Sequence, residues 1–190
     1  MHLATTPAAN ELLQRDPFAL LIGMLLDQQI PMEKAFTSPE VLRERLGGDL
    51  DAYIVANYSA EKFEQLFRTP PALHRFPAAM AKRVQDLARA LVEEYNGDAA
   101  QVWTDVPSGH DLVARISRLP GFGAQKAKIF TALLGKQFEV RPDGWREAAG
   151  DYGTEGSFRS VADVVDAASL RAVRTFKQQM KAAAKAASPQ

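Results

Sequence analysis

Apolar positions recur at spacings of three and four residues in nearly every segment between turn residues, and alternating β-branched runs are absent, so the pattern predicts an all-α protein. The clearest stretch follows Asp16. With Pro17 at the first helical position, Phe18, Leu21, Ile22, Leu25 and Leu26 cover a wide apolar face, which places this helix at the centre of the core. It runs into Asp27, Gln28 and Gln29 and breaks near Pro31. Ser38 and Pro39 read as the capped start of a helix reaching Leu46 and stopped by Gly47 and Gly48. Two short helices are expected over residues 49–56 and 59–67, and Pro70 with Pro71 forces a turn. The longest periodic stretch, residues 76–95, sets Met80, Val84, Leu87, Leu91 and Val92 against a polar face and stops at Asn96 and Gly97. Ser108 and Asp111 have the spacing of a capping box for a helix ending near Arg118. A second helix, 124–134, follows the short segment after it, and a last helix is expected over about 168–186. No element is assigned ahead of Asp16, and His2 is expected in a mobile end.

The length of 190 residues and an apolar content of 46% suffice to bury a core without staples, as one domain or as two small lobes sharing a core. The absence of cysteine excludes disulfides, cysteine-ligated zinc, iron–sulfur clusters and a cysteine nucleophile. The longest apolar run, residues 18–26, is less than half of the roughly 20 residues a helix needs to cross a bilayer. With no basic region ahead of that run, the expectation is a soluble, cytoplasmic protein, neither secreted nor membrane-spanning. His74 and His110 have no second ligand at convincing spacing, so no metal and no cofactor are expected.

Lysine plus arginine and aspartate plus glutamate number 23 each, a formal net charge of zero that taken alone argues against a polyanionic partner. The distribution argues otherwise. Between Arg115 and Arg141 six cations face the single acid Glu139, a net +5, and from Ala167 to the C-terminus there are Arg171, Arg174, Lys177, Lys181 and Lys185 with no acid. Such segregation marks a face that displaces counterions from phosphates, although solvated helix faces carry similar runs.

Between the two basic segments lies Leu119-Pro120-Gly121-Phe122-Gly123, a tight connection between helices. Proline restricts its predecessor, and each glycine permits backbone angles that a side chain forbids. Glycine also removes the bulk that keeps a phosphate from the backbone. The following helix then opens with N–H groups at Gly123, Ala124 and Gln125 facing an incoming anion, with Lys126 and Lys128 nearby. A Pro-Gly-x-Gly turn between helices also occurs simply as a turn. The whole string from Arg115 to Ala127, however, closely resembles the helix-hairpin-helix of the HhH-GPD superfamily of base-excision DNA glycosylases, named for that hairpin, a glycine/proline-rich loop and an aspartate. The chain resembles a small, cysteine-free, bacterial-type member, similar to endonuclease III and adenine-glycosylase-like proteins without their iron–sulfur cluster.

What the resemblance implies is specific. The family's aspartate lies about eighteen residues past the position where members that also cut the backbone carry a nucleophilic lysine. Here that position is Gln125, and Asp143 stands eighteen residues beyond it. A carboxylate there stabilises the positive charge that develops on deoxyribose as the glycosidic bond lengthens. Arg141-Pro142-Asp143-Gly144 is also an ordinary turn sequence. An amide is no nucleophile, so Gln125 implies a monofunctional glycosylase, with Lys126 as a displaced nucleophile in the bifunctional alternative. The segment from Asp16 to Gln29 looks like the family's first barrel helix, whose terminal glutamine enters the gap left by a flipped base. Gln29 matches it, with Gln28 adjacent, although paired glutamines also suit a solvated helix end. Trp145, or else Tyr152 or Phe158, is a candidate to stack on that base, although aromatics after a turn also serve as core.

The resemblance thus implies a two-lobed fold in a single domain over 1–190: a six-helix barrel over about 16–107, then the hairpin, catalytic loop and C-terminal helix over about 108–186. The implied partner is double-stranded DNA with a damaged or mispaired base, bound by a nucleoid-associated monomer through Leu119, Pro120, Gly121, Phe122, Gly123, Ala124, Gln125 and Lys126. The rival readings are a hairpin module that binds DNA without catalysis and a plain helical interaction protein.

Overall fold

The computed structural model describes residues 1–187. Ten α-helices follow one another: α1 (Pro7–Arg15), α2 (Pro17–Leu26), α3 (Met32–Arg45), α4 (Ala52–Asn57), α5 (Ala60–Arg68), α6 (Pro77–Tyr95), α7 (Gly109–Arg118), α8 (Ala124–Gln137), α9 (Trp145–Ala149) and α10 (Ala167–Ala187). Three 3₁₀ turns, Ala99–Val102, Gly150–Gly153 and Val161–Asp163, lie between them. The sole β feature among the described residues is one isolated parallel bridge between Ser108 and Asp143. The fold class is all-α. None of the described helices is long and apolar enough to cross a membrane.

Helix α2 is the axle of the molecule. Asp16 caps it by accepting from the N–H groups of Phe18 and Ala19 at 2.9 and 3.0 Å, and every residue from Phe18 to Leu26 is buried. At Gly23 the backbone of α2 comes so close to Phe36 of α3 that an added Cβ would lie 2.7 Å from the ring. Helices α4 and α5 pack on α6, whose Asn96 C-cap takes the left-handed conformation (φ 52°) before Gly97, as the Asn-Gly pair predicts. Helices α7, α8 and α9 pack on one another, and the Val161–Asp163 turn ties α10 to α8.

Three local expectations are corrected. The chain ahead of Asp16 is ordered: Thr6 caps α1, Leu3, Leu12 and Leu13 are buried, and the Asn10 carboxamide accepts from Leu3 and Ala4 N–H at 2.9 and 3.1 Å, holding the segment beside His2 against the core. Helix α3 does not begin at Ser38. It starts after Pro31 and runs through Pro39, because Ser38 turns its hydroxyl back to Lys34 O (2.8 Å) and across to Leu73 O (3.1 Å), fixing the turn where proline removes a donor. The Ser108 cap is half a capping box. Its hydroxyl accepts from Asp111 N–H at 3.2 Å, but the Asp111 carboxylate accepts from that hydroxyl rather than from the Ser108 backbone.

Candidate active site

At the hairpin, Leu119 and Phe122 are buried, and Phe122 sets its ring edge-on to Phe130 of α8 with centroids 5.8 Å apart. The loop is therefore fixed rather than loose. Gly121 adopts φ +86°, and a Cβ there would press on Leu25 of α2 at 3.1 Å. Gly123, the N-cap of α8, has an ordinary φ of −74° and nothing within 4 Å of its Cβ position. No side chain caps α8, so the N–H groups of Ala124, Gln125 and Lys126 have no acceptor among the described residues. A bare helix N-terminus beside a glycine that leaves open space can accept an anion such as a phosphate.

Lys126 departs from the expected hairpin role. Its Nζ does not face outward with the amides but donates to Leu25 O at the C-terminus of α2, at 2.8 Å. Burial pushes its pKa down to about 8, with Asp27 opposing that shift and Arg83 adding to it. The hydrogen bond staples the hairpin to the end of α2 and so brings two sequence-distant segments to one cleft.

That cleft holds about 910 Å³, enough for a nucleotide. One wall is the end of α2 and the residues after it, from Met24 to Ile30; the other is formed by Gln125, Lys126 and Lys128 of α8, the Ala149–Tyr152 segment and Arg159; α10 closes one side with Phe176, Lys177 and Met180. Gln28 and Gln29 part company here. The Gln28 carboxamide donates to Leu25 O (3.1 Å) and accepts from Arg83 (3.3 Å). Gln29 is exposed, holds a left-handed backbone (φ 57°) and has no side-chain hydrogen bond among the described residues. The corner beneath it is braced by His74, which is 1% exposed: its Nδ1 accepts from Phe76 N–H (3.1 Å), which leaves Nε2 to donate to Gln28 O at 2.9 Å. Burial pushes the pKa of this imidazole down, in keeping with a neutral brace.

Across the cleft the Gln125 amide donates to the Tyr152 hydroxyl at 2.8 Å, and Asp151 pairs with Arg159 at 3.2 Å on the exposed rim. The Arg159 guanidinium also lies 5.3 Å from the Phe176 ring centroid. This segment is anchored from below. Lys136 of α8 donates to Asp163 (2.5 Å) and Thr154 O (2.8 Å), and Asp163 in turn accepts from Arg159 and Ser160 N–H at 2.8 and 3.1 Å.

Asp143 is exposed and is not among the residues that line this cleft. Its carbonyl accepts from Gly109 N–H at 2.7 Å, and its neighbours Arg141 and Trp145 are both fastened to Gly135, at the C-terminal end of α8. Gln125 and Gly135 are ten residues apart on α8, about 15 Å at 1.5 Å per residue. The eighteen-residue spacing is thus spent on helix α8 and a short return that ends beside α7. Trp145 is corrected as a stacking residue: it is 8% exposed, its ring covers Gly135 and its other partner is the Arg146 guanidinium 4.5 Å away, so neither face is open to a base. Tyr152 reaches the cleft, and Phe158, although exposed, does not.

Sequence reasoning assigned no role in the cleft to Asp27, to His74 as a brace or to Asp151. Asp27 was legible as the first polar residue after the apolar run of α2, immediately before the two glutamines; the others came together only through the fold.

Beside the cleft the exposed cations of α10 form a stripe. At 100° per residue Arg171, Arg174, Lys177, Lys181 and Lys185 share about 120° of arc, over about 21 Å of helix. Arg174 is held by Glu33 of α3. The family model described as HhH-GPD superfamily base excision DNA repair protein matches residues 22–188. Comparison with curated proteins and with solved structures gives no match.

Proposed function

The chain belongs to the HhH-GPD superfamily of base excision DNA repair proteins, and from that premise we propose that it hydrolyses the N-glycosidic bond of a damaged or mispaired base flipped out of duplex DNA, acting as a monomer and leaving an abasic site uncut. The observation that carries this reading is the cleft itself, where the uncapped start of α8 and the exposed Gln29 meet around a nucleotide-sized space. The hairpin amides from Gly123 to Lys126 hold a backbone phosphate, and the basic stripe of α10 follows the same duplex by charge. Gln29 enters the space the base leaves. Its carboxamide can donate to or accept from the widowed base, and it stands exposed at the cleft on a left-handed bend of the backbone. Gln125 supports hydrolysis without strand cleavage, since its amide forms no imine with the sugar.

One observation favours a second reading. Lys126 lies in the cleft with an amine whose pKa is about 8, so a reactive neutral fraction is present near neutral pH, as an imine-forming lyase requires. The two are separated by one experiment. A panel of duplexes, each with one lesion or mismatch, is incubated with the protein and scored for strand breaks with and without hot alkali, alongside borohydride trapping on abasic DNA. Breaks that need alkali, with no trapped adduct, are expected. A trapped adduct lost in Lys126→Ala would establish the lyase, and tight binding with no base release from any duplex would favour a non-catalytic module.

A further inference from the structure

Gln28 and Gln29 are neighbours with opposite fates, and the difference turns on one main-chain carbonyl. Gln28 is tied at every polar group. Its N–H donates to Leu26 O at 2.7 Å, its carboxamide lies among Leu25 O, the Met80 sulfur (3.4 Å) and Arg83, and its carbonyl accepts from His74 Nε2 at 2.9 Å. That carbonyl belongs to the peptide plane leading into Gln29. The tilt of the plane sets the φ of Gln29, 57°, a left-handed angle that side chains disfavour. Such a conformation persists only where its surroundings over-determine it, and it clusters at sites that act on a ligand.

His74 is built to hold that plane. The segment that carries it is itself fastened: Leu73 N–H donates to Phe67 O of α5 at 3.0 Å, Leu73 O accepts from Ser38 of α3 at 3.1 Å, and Phe76 is the N-cap of α6. The ring is fully enclosed and both nitrogens are committed to backbone, Nδ1 accepting from Phe76 N–H and Nε2 donating to Gln28 O. Only the neutral ring can do both, because a proton added at Nδ1 would meet another donor. The charges acting on the ring are Lys34 of α3 and Lys126 of α8. Around it, Arg83 of α6 holds the Gln28 carboxamide, Arg75 lies over the Phe76 ring, and Asp27 at the end of α2 is offset by Lys177 and Lys126. Burial, and after it the two lysines, push the His74 pKa below the ordinary 6.5.

Resting on the glycosylase reading above, we infer that His74 is the positioning residue of the gap-filling step: it pins the peptide between Gln28 and Gln29, so that Gln29 stands ready before DNA arrives. Enclosed as it is, His74 acts through Gln29 and not on the DNA. A pinned corner does not have to be ordered at the moment of binding, whereas a loose one does. Protonation breaks the brace, so gap filling weakens as pH falls through the His74 pKa.

The test uses the best duplex of the lesion panel with 2-aminopurine beside the target, which brightens when the target base leaves the stack. Single-turnover release is followed in parallel from about pH 5 to 8, and binding to undamaged duplex and the melting temperature report the fold. His74→Asn keeps an acceptor near Nδ1 but loses the Nε2 donor, and is expected to dim the signal and slow release about tenfold, with binding to undamaged duplex within about twofold. His74→Gln, whose amide reaches the Nε2 position, is expected to recover release to within about threefold and to lack the acid limb that the unaltered protein shows below pH 6.5. In a Gln29→Ala background His74→Asn is expected to cost less than about twofold, since nothing is left to position. Equal losses with and without Gln29, a Gln variant no better than the Asn variant, or an acid limb that persists in His74→Gln overturns the role given to His74 and leaves the glycosylase reading standing. If His74→Asn does not fold, the pH profile of His74→Gln against the unaltered protein decides. No release by the unaltered protein from any duplex overturns both.

Discussion

Lys126 shows how one side chain can carry opposing demands. Its ammonium donates to Leu25 O and balances Asp27, yet burial holds its pKa at about 8 against an ordinary value of 10.5. Between those values the unfolded chain binds the proton more tightly than the folded one, so folding stability rises with pH across that window and is lowest below pH 8. Lys126→Met removes the penalty. Urea unfolding at pH 7 and pH 10 should show the unaltered protein gaining up to about 3 kcal/mol more than the variant over that interval; equal gains would mean that the amine is solvated. The sequence placed Lys126 one position from the family's nucleophile and assigned it to phosphate. Which way a four-carbon stem turns is decided by what the next layer offers, and here it offers the unsatisfied carbonyls at the end of α2.

Helices were legible wherever a cap and an apolar stripe agreed. Asp16 with Pro17, Asn96 with Gly97 and the opening of α8 at Gly123 all stand where the pattern sets them. Failures came where a side chain satisfied the backbone in a way the pattern does not encode, as Ser38 does beside Pro39. The pairing of α8 with α9 was illegible for a similar reason, since it rests on a ring lying over a glycine. An added Cβ at Gly135 would sit 2.4 Å from the Trp145 ring, and the buried ring has little room to yield. Gly135→Ala should therefore destabilise the fold by about 1–3 kcal/mol in urea, while Gly123→Ala, with open space and φ −74°, should leave stability unchanged and weaken duplex binding severalfold. A stable Gly135→Ala would show that α9 is held by other contacts, and unimpaired binding by Gly123→Ala would remove the phosphate seat.

At the scale of the whole molecule the formal charge is zero, so attraction to DNA depends on where the cations lie. The stripe on α10 and the opening of α8 border the same cleft, one supplying point charges and the other aligned amides. Replacing Lys181 and Lys185 by glutamine should flatten the slope of log K against log salt by about 0.9 for each phosphate that is no longer neutralised, approaching 2 in total, measured on undamaged duplex. An unchanged slope would place the duplex away from α10. Both residues are exposed and outside the cleft lining, so the fold and single-turnover release at saturating protein should be preserved.

What the sequence determined by itself is local and periodic: the all-α class, most helix boundaries, the glycine hairpin with its uncapped helix, the two basic segments and the corner at Gln28 and Gln29. These follow from residues within a few positions of one another, whose propensities and spacings need no knowledge of distant neighbours. Only the tertiary structure decided which of two glutamines stands free, which way Lys126 turns, that Trp145 is core, that the residues flanking Asp143 are fastened to the end of α8 and that Asp27 lines the cleft. Each of these depends on packing between segments as much as a hundred residues apart. A spacing along the chain counts residues, whereas a catalytic distance depends on how many of them are wound into helix at about 1.5 Å each and where the return loop is fastened.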